Sequence, residues 1–314
     1  MKIKYINVYS LGRSGTHAAS NWICGHFDNS IQWNVKNYCS DKNEIKCLVF
    51  KKKGRRFVRK SSNIKINNLA RIIKEKNIKA IISVVDTWIN EPDGKDIRGR
   101  NIFLDNGVEL EEQKNVIVVR SPWNHYASLI FWDKRSPMKK INTFAKMWTI
   151  YAKEYLNETN YINNKVQFNY DKWFQDKSYR ESISKQLNLR FSDSGLNWVS
   201  CIGGGSTFDS NCYNDMAQKM EVLERWKGID EKSVTHKELV LLLKDPDINK
   251  FISLIFGAVP CEFLLTKDQT IDKNLKALEK IHVHRLCEII MELKKTILKQ
   301  KKMIEVLRLE TLKK

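Results

Sequence analysis

The chain has 314 residues, 42% of them apolar and 10% aromatic, with only five prolines; that is the composition of a globular protein large enough to bury a full core. No apolar run approaches the roughly 18–20 residues that span a bilayer, and residues 1–10 are too short and interrupted for a secretory signal, so the expectation is a soluble cytoplasmic protein. The formal charge of +19 favours anionic partners, but no nucleic-acid motif accompanies it, and specific nucleic-acid binding is not expected. Seven scattered cysteines with no CxxC, and no HExxH, argue against a disulfide framework and against a metal site.

In chain order, Lys4–Tyr9 reads as a strand running into a Ser-Leu-Gly turn, and His17–Phe27 has helical spacing. Strand, glycine loop and helix in that order open an α/β fold. Ile45–Phe50 reads as a strand, followed by the basic stretch Lys51–Lys60, whose cluster Lys51–Arg56 is expected in a loop. It would hold an acidic acceptor or form a solvated charge run. Leu69–Glu75 reads as a helix, and Ala80–Val85 as a buried parallel strand. Residues 90–114 are polar and glycine-containing and read as a long surface loop. Asn115–Val119 is a further buried strand, and Pro122–Trp132 a helix with proline in its first turn.

A helix over Ile141–Leu156, a strand over Val166–Phe168 and a helix over Tyr179–Leu187 follow. Beyond the glycines at 203–205, helices are expected over Asp215–Trp226 and on to about Phe256. The fold class is therefore α/β, a central mostly parallel sheet flanked by helices, over residues 1–270. Residues 271–314 form a helical C-terminal extension. There Val283, Ile290, Ile297 and Ile304 recur every seven residues, interleaved with Leu286, Leu293, Gln300 and Leu307. That pattern fits a parallel homodimer through 283–307, or an amphipathic helix lying on another surface.

Two segments carry chemistry. Ser10-Leu11-Gly12-Arg13-Ser14-Gly15-Thr16 is a glycine-rich turn between a buried strand and a helix, where backbone N–H groups and the helix end face an anion. Arg13 adds a guanidinium fork and Ser14 and Thr16 add hydroxyls. The Gly-Lys-Ser/Thr of a Walker loop is missing, which disfavours ATP hydrolysis. The second segment places Arg120 at the end of the strand Asn115–Val119 and Ser128 eight residues later on a helix. Ligands of parallel α/β sheets sit beyond such strand ends.

Together these segments resemble the sulfotransferases that use 3′-phosphoadenosine 5′-phosphosulfate (PAPS). In that family a Lys-Ser-Gly-Thr loop wraps the 5′-phosphosulfate, and a strand–Arg–x₇–Ser motif binds the 3′-phosphate. Arg13-Ser14-Gly15-Thr16 and Arg120/Ser128 match these two motifs. Val166–Asp171 resembles the family's strand followed by Tyr-Glu, which implies Tyr170 near the adenine. Gly203–Phe208, with Gly204, Gly205 and Ser206, resembles the late loop over the nucleotide, and Arg225-Trp226 a recurrent pair of bacterial-type members.

The resemblance covers roughly residues 3–230 and implies a P-loop-like sulfotransferase fold. It implies PAPS as donor, 3′-phosphoadenosine 5′-phosphate (PAP) as product, no metal, and a hydroxyl acceptor, here read as a carbohydrate or glycan. Arg13 stands where the family has Lys, and His17-Ala18 where it has Thr-Trp. For the base, the family places His, Glu or Asp after a central strand beside the donor loop. Asp86, after Ala80–Val85, matches that position, with His17 and His125 as alternatives and a turn cap as Asp86's structural role. The competing readings are a P-loop-like nucleotide kinase and a non-catalytic nucleotide- or polyanion-binding dimeric scaffold.

Overall fold

Residues 4–9 alternate Tyr5, Asn7 and Tyr9 with Ile6 and Val8, so the first strand, β1 (Lys4–Tyr9), presents two buried faces and belongs at the centre of a sheet. The computed structural model describes residues 2–39, 44–53, 56–85, 89, 95–131, 140–199, 208–209, 212–213 and 215–259. Its sheet holds seven strands: β1, β2 (Asn29–Cys39), β3 (Glu44–Lys53), β4 (Arg56–Lys65), β5 (Ala80–Val85), β6 (Lys114–Val119) and β7 (Lys165–Asn169). The spatial order is β4-β3-β2-β5-β1-β6-β7. The five strands from β2 to β7 pair in parallel, and β3 and β4 extend one edge antiparallel. This is the mostly parallel α/β architecture expected from the sequence.

The helices are α1 (Thr16–Cys24), α2 (Leu69–Glu75), α3 (Lys95–Leu104), α4 (Pro122–Ile130) and α5 (Ile141–Tyr155), then α6 (Tyr170–Gln175), α7 (Lys177–Gln186), α8 (Val234–Lys244) and α9 (Pro246–Phe256). On one face of the sheet, Ile6, Val8 and Ile82 pack with Trp22 and Ile23 of α1 and with Trp173 of α6. On the other, Tyr5, Ile31 and Trp33 pack around Phe103 of α3, whose ring meets Tyr5 and Trp33 edge-on at 6.0 and 5.4 Å. Gly195 lies flat on the end of α1: a Cβ there would come within 2.2 Å of the Asn21 carbonyl, and both atoms are backbone.

Three readings of the sequence are corrected, and two strands that it did not announce, β2 and β4, are added. Within the basic cluster 51–56, Lys51–Lys53 end β3 and Arg56 opens β4, so these four residues are in strands and not in a loop; residues 54 and 55 lie outside the described residues. Residues 90–114 contain α3, which the sequence hides behind Gly99 and polar neighbours; buried Phe103 anchors it. β2 and β4, rich in Asn, Gln, Lys and Ser, have weak strand propensity and form through pairing with β5 and β3. No α-helix spans 215–226; only the 3₁₀ turns Ala217–Lys219 and Arg225–Gly228 occur there. The reason is tertiary. Arg120 Nη2 takes the Val222 carbonyl and Asn124 Nδ2 the Leu223 carbonyl at 2.7 Å, so those oxygens are withdrawn from any helix ladder.

No helix among the described residues is long and apolar enough to cross a membrane. The heptad segment 283–307, and the dimer expected from it, lie outside the described residues.

Candidate anion-binding site

The chain leaves β1 toward β2 on one side of the sheet and leaves β6 toward β7 on the other. The topology therefore reverses between the carboxyl ends of β1 and β6, where ligands of open α/β sheets bind. The loop 10–16 follows β1, and Arg120 follows β6, so both sequence motifs converge on that crevice.

The loop is held from within. Ser10 and Thr16 share a side-chain hydrogen bond, and Ser14 N donates to the Leu11 carbonyl at 3.1 Å. Gly15 caps α1 with φ 98°, a conformation suited to glycine, and the Tyr170 ring lies against it. A Cβ at Gly15 would sit 2.2 Å from that ring. Tyr170 is thus buried beneath the loop 10–16, with the Arg120 guanidinium 5.1 Å from its ring centre. Arg13 also has positive φ, 69°.

Arg120 is only 2% exposed, yet no carboxylate among the described residues hydrogen-bonds it. Its Nη1 donates to the Arg13 carbonyl at 3.3 Å and to Ser128 Oγ at 2.9 Å, and Nη2 donates to the Val222 carbonyl. Its Nε is buried without a partner among the described residues, which leaves one charged donor for an oxyanion. Ser14 Oγ is likewise buried with no hydrogen bond. From the far side Arg225 Nη1 reaches Ser128 Oγ at 3.2 Å, while its guanidinium lies 4.9 Å from the Phe208 ring and 3.7 Å from Asp209.

Arg13, Arg120 and Arg225 therefore share one crevice. Burial, and then the Arg120 charge, lower the Arg13 pKa to about 10; burial, Arg120 and Arg13 lower that of Arg225 to about 10 as well. Both stay cationic at neutral pH. Burial also lowers the Arg120 pKa, against Tyr170 and Asp171, which raise it. Asp171 is itself pushed up by burial and accepts from Ser121 N at 3.3 Å. The three arginines outnumber Asp171 and Asp209 in a desolvated setting, and such a setting favours an anion.

Among the residues singled out from sequence, Gly12, Arg13, Ser14, Gly15, Thr16, Arg120, Ser128 and Tyr170 come together here. His17 sits in the first turn of α1, half-buried. Asp86, Gly204, Gly205 and Ser206 lie outside the described residues. Two participants were not assigned to the site from sequence: Arg225, noted only as part of a recurrent pair, and Asn124. The Asn124 side chain bonds Ser121 Oγ, the Leu223 carbonyl and Trp226 N, fastening α4 to the 222–226 segment. Asn124 has no sequence signal beyond lying between Arg120 and Ser128.

His125, an alternative base from the sequence, is held as a hydrogen-bond donor. Its Nε2 is committed to the Gly12 carbonyl at 2.9 Å, and burial, reinforced by Arg120 and Arg13 against that bond, holds its pKa down at about 3.

The fold and the site define an α/β protein with a cationic crevice at its topological switch point. No family model matches the chain, and no curated protein matches it. Among solved structures, the sulfotransferase domain from the Synechococcus PCC 7002 olefin synthase aligns with 77% of this chain and 94% of its own length, at 13% identity and a TM-score of 0.39.

Proposed function

We propose that the protein is a sulfotransferase that uses PAPS. The observation that carries this reading is Arg120: a buried guanidinium whose Nε has no partner among the described residues, flanked by Ser128, Arg225 and Arg13. An anion between these groups relieves their mutual repulsion, and a ligand with phosphate at both ends matches the two motifs at once. The fit is supported by two buried polar atoms without partners, Arg120 Nε and Ser14 Oγ, one in each motif.

In this reading Arg120, Ser128 and Arg225 hold the 3′-phosphate, and Arg13, Ser14, Gly15 and Thr16 hold the 5′ side. When bound, the donor supplies an already activated sulfuryl group. Arg13 and the loop amides stabilise the charge that gathers on the sulfuryl and leaving-phosphate oxygens during in-line transfer. Asp86 follows β5, the strand beside β1, and is the residue we assign to accept the acceptor's hydroxyl proton. The acceptor class, a carbohydrate hydroxyl, rests on motif resemblance.

Calorimetric titration with PAP and with ATP tests the donor class. Binding of PAP, weaker binding of ATP and loss of PAP binding in Arg120→Ala are expected. Equal affinity for ATP, or an indifferent Arg120→Ala, overturns the reading. Turnover of labelled PAPS, abolished in Asp86→Asn, separates an enzyme from a nucleotide-binding scaffold.

A further inference from the structure

His125 lies on α4, three residues before Ser128, buried against the Phe144 ring at 5.1 Å. Because the Gly12 carbonyl can only accept, the proton must reside on Nε2, which donates across 2.9 Å. Nδ1 is then the bare nitrogen, and it is buried without a hydrogen bond. A lysine or arginine in this place would add a further cation beside Arg120 and Arg13, so a neutral donor is the type that fits.

The bond acts on a backbone with an alternative. In a trans peptide the carbonyl and the following N–H point in opposite directions. Drawing the Gly12 oxygen toward α4 therefore turns Arg13 N–H away from α4. Arg13 itself sits at φ 69°, in a region unfavourable for a residue with a side chain. Rotation of the Gly12–Arg13 peptide would release it. His125 opposes that rotation at the Gly12 oxygen, and Arg120 holds the Arg13 oxygen.

We propose that His125 is a positioning residue that locks the Gly12–Arg13 peptide, so that the loop is set for the 5′ side of a nucleotide before any ligand arrives. The nucleotide part rests on the sulfotransfer reading; the locking of the loop does not. One helix thereby sets both halves of the site, with Ser128 facing the 3′ side and His125 supporting the 5′ side.

Three measurements test this. Amide exchange of the ligand-free protein is compared with His125→Phe, which fills the space without a donor, and His125→Gln, whose own amide N–H reaches toward Gly12. Peptides covering 9–16 are expected to exchange about tenfold faster in His125→Phe, consistent with one lost hydrogen bond, with β6 and α5 within about twofold and His125→Gln restored toward wild type. In titrations, His125→Phe should weaken adenosine 3′,5′-bisphosphate about five- to tenfold and leave adenosine 3′-monophosphate within about twofold.

Unchanged loop exchange in His125→Phe, exchange raised equally in β6 and α5, or equal weakening of both nucleotides overturns the proposal. Should neither nucleotide bind the wild type, the sulfotransfer reading falls while the exchange data still decide the role of His125. In the wild-type protein, imidazole ¹⁵N shifts should report an Nε2–H ring that does not titrate between about pH 5 and 8. An Nδ1–H tautomer or a titrating ring overturns the proposal even if the variants fail to fold.

Discussion

Two buried arginines show how this molecule treats charge. Arg180 of α7 donates from Nε and Nη2 to the two oxygens of Asp193, at 2.9 and 3.1 Å, and from Nη1 to the Trp173 carbonyl. Asp193 also accepts from the Trp22 indole, so this charge is neutralised and its fork fully used. Arg120 is buried as deeply, but its hydrogen-bond partners are a hydroxyl and two carbonyls, and the charge of Asp171 near it is set against two more cations, Arg13 and Arg225. The first arrangement ties α1, α7 and the 193 turn together. The second leaves binding capacity unspent, as a site awaiting an anion requires.

The contrast is open to breaking, beginning with the largest effect. Arg180→Met strands the Asp193 carboxylate, which is 29% exposed, and should destabilise the fold by about 3 kcal/mol in urea titrations while leaving nucleotide affinity unaltered once folded. Arg120→Met should do the reverse. It removes a charged donor to ligand, so affinity for PAP falls about 100-fold, whereas relief from Arg13 and Arg225 offsets the lost contacts and stability moves by less than about 1 kcal/mol. Equal stability losses in the two variants would erase the distinction.

A pH series sharpens the comparison for the neutral donor of the same crevice. The His125 pKa is about 3 in the folded protein, pushed down first by burial, and returns to roughly 6.5 on unfolding. As pH falls below that value the unfolded chain takes up a proton that the folded one does not. Stability therefore rises with pH and is lost on acidification toward the folded value. Between about pH 6 and 4, wild-type stability should fall more steeply than that of His125→Gln, by up to about 1.4 kcal/mol per unit. Parallel slopes would show that His125 is not held neutral.

The smallest effect is expected from Ser128→Ala. It deletes one hydroxyl shared by Arg120 and Arg225 and should weaken PAP binding about fivefold, read by calorimetry. A loss as large as that of Arg120→Met would move the weight of the site from the guanidinium to the hydroxyl.

What the sequence determined by itself is local. β1, β5 and β6 are largely apolar runs buried on both sides, and such runs announce central parallel strands without outside help. The loop 10–16 and the Arg120–Ser128 spacing were legible for the same reason, since each follows one of those strands. The interior strand β2, the edge strand β4 and the helix α3 were not legible, because polar residues and Gly99 give weak propensity that only pairing and the Phe103 anchor overcome.

The tertiary structure alone decided the rest of the site. It drew the carbonyls of Val222 and Leu223 onto Arg120 and Asn124, turning an apparent helix into a clamp of turns that carries Arg225 to Ser128. It also fixed His125 to Gly12, 113 residues away in the chain. Residue type and spacing record which groups are available. Which of them are desolvated together, and which donors are left open, depends on contacts between distant segments.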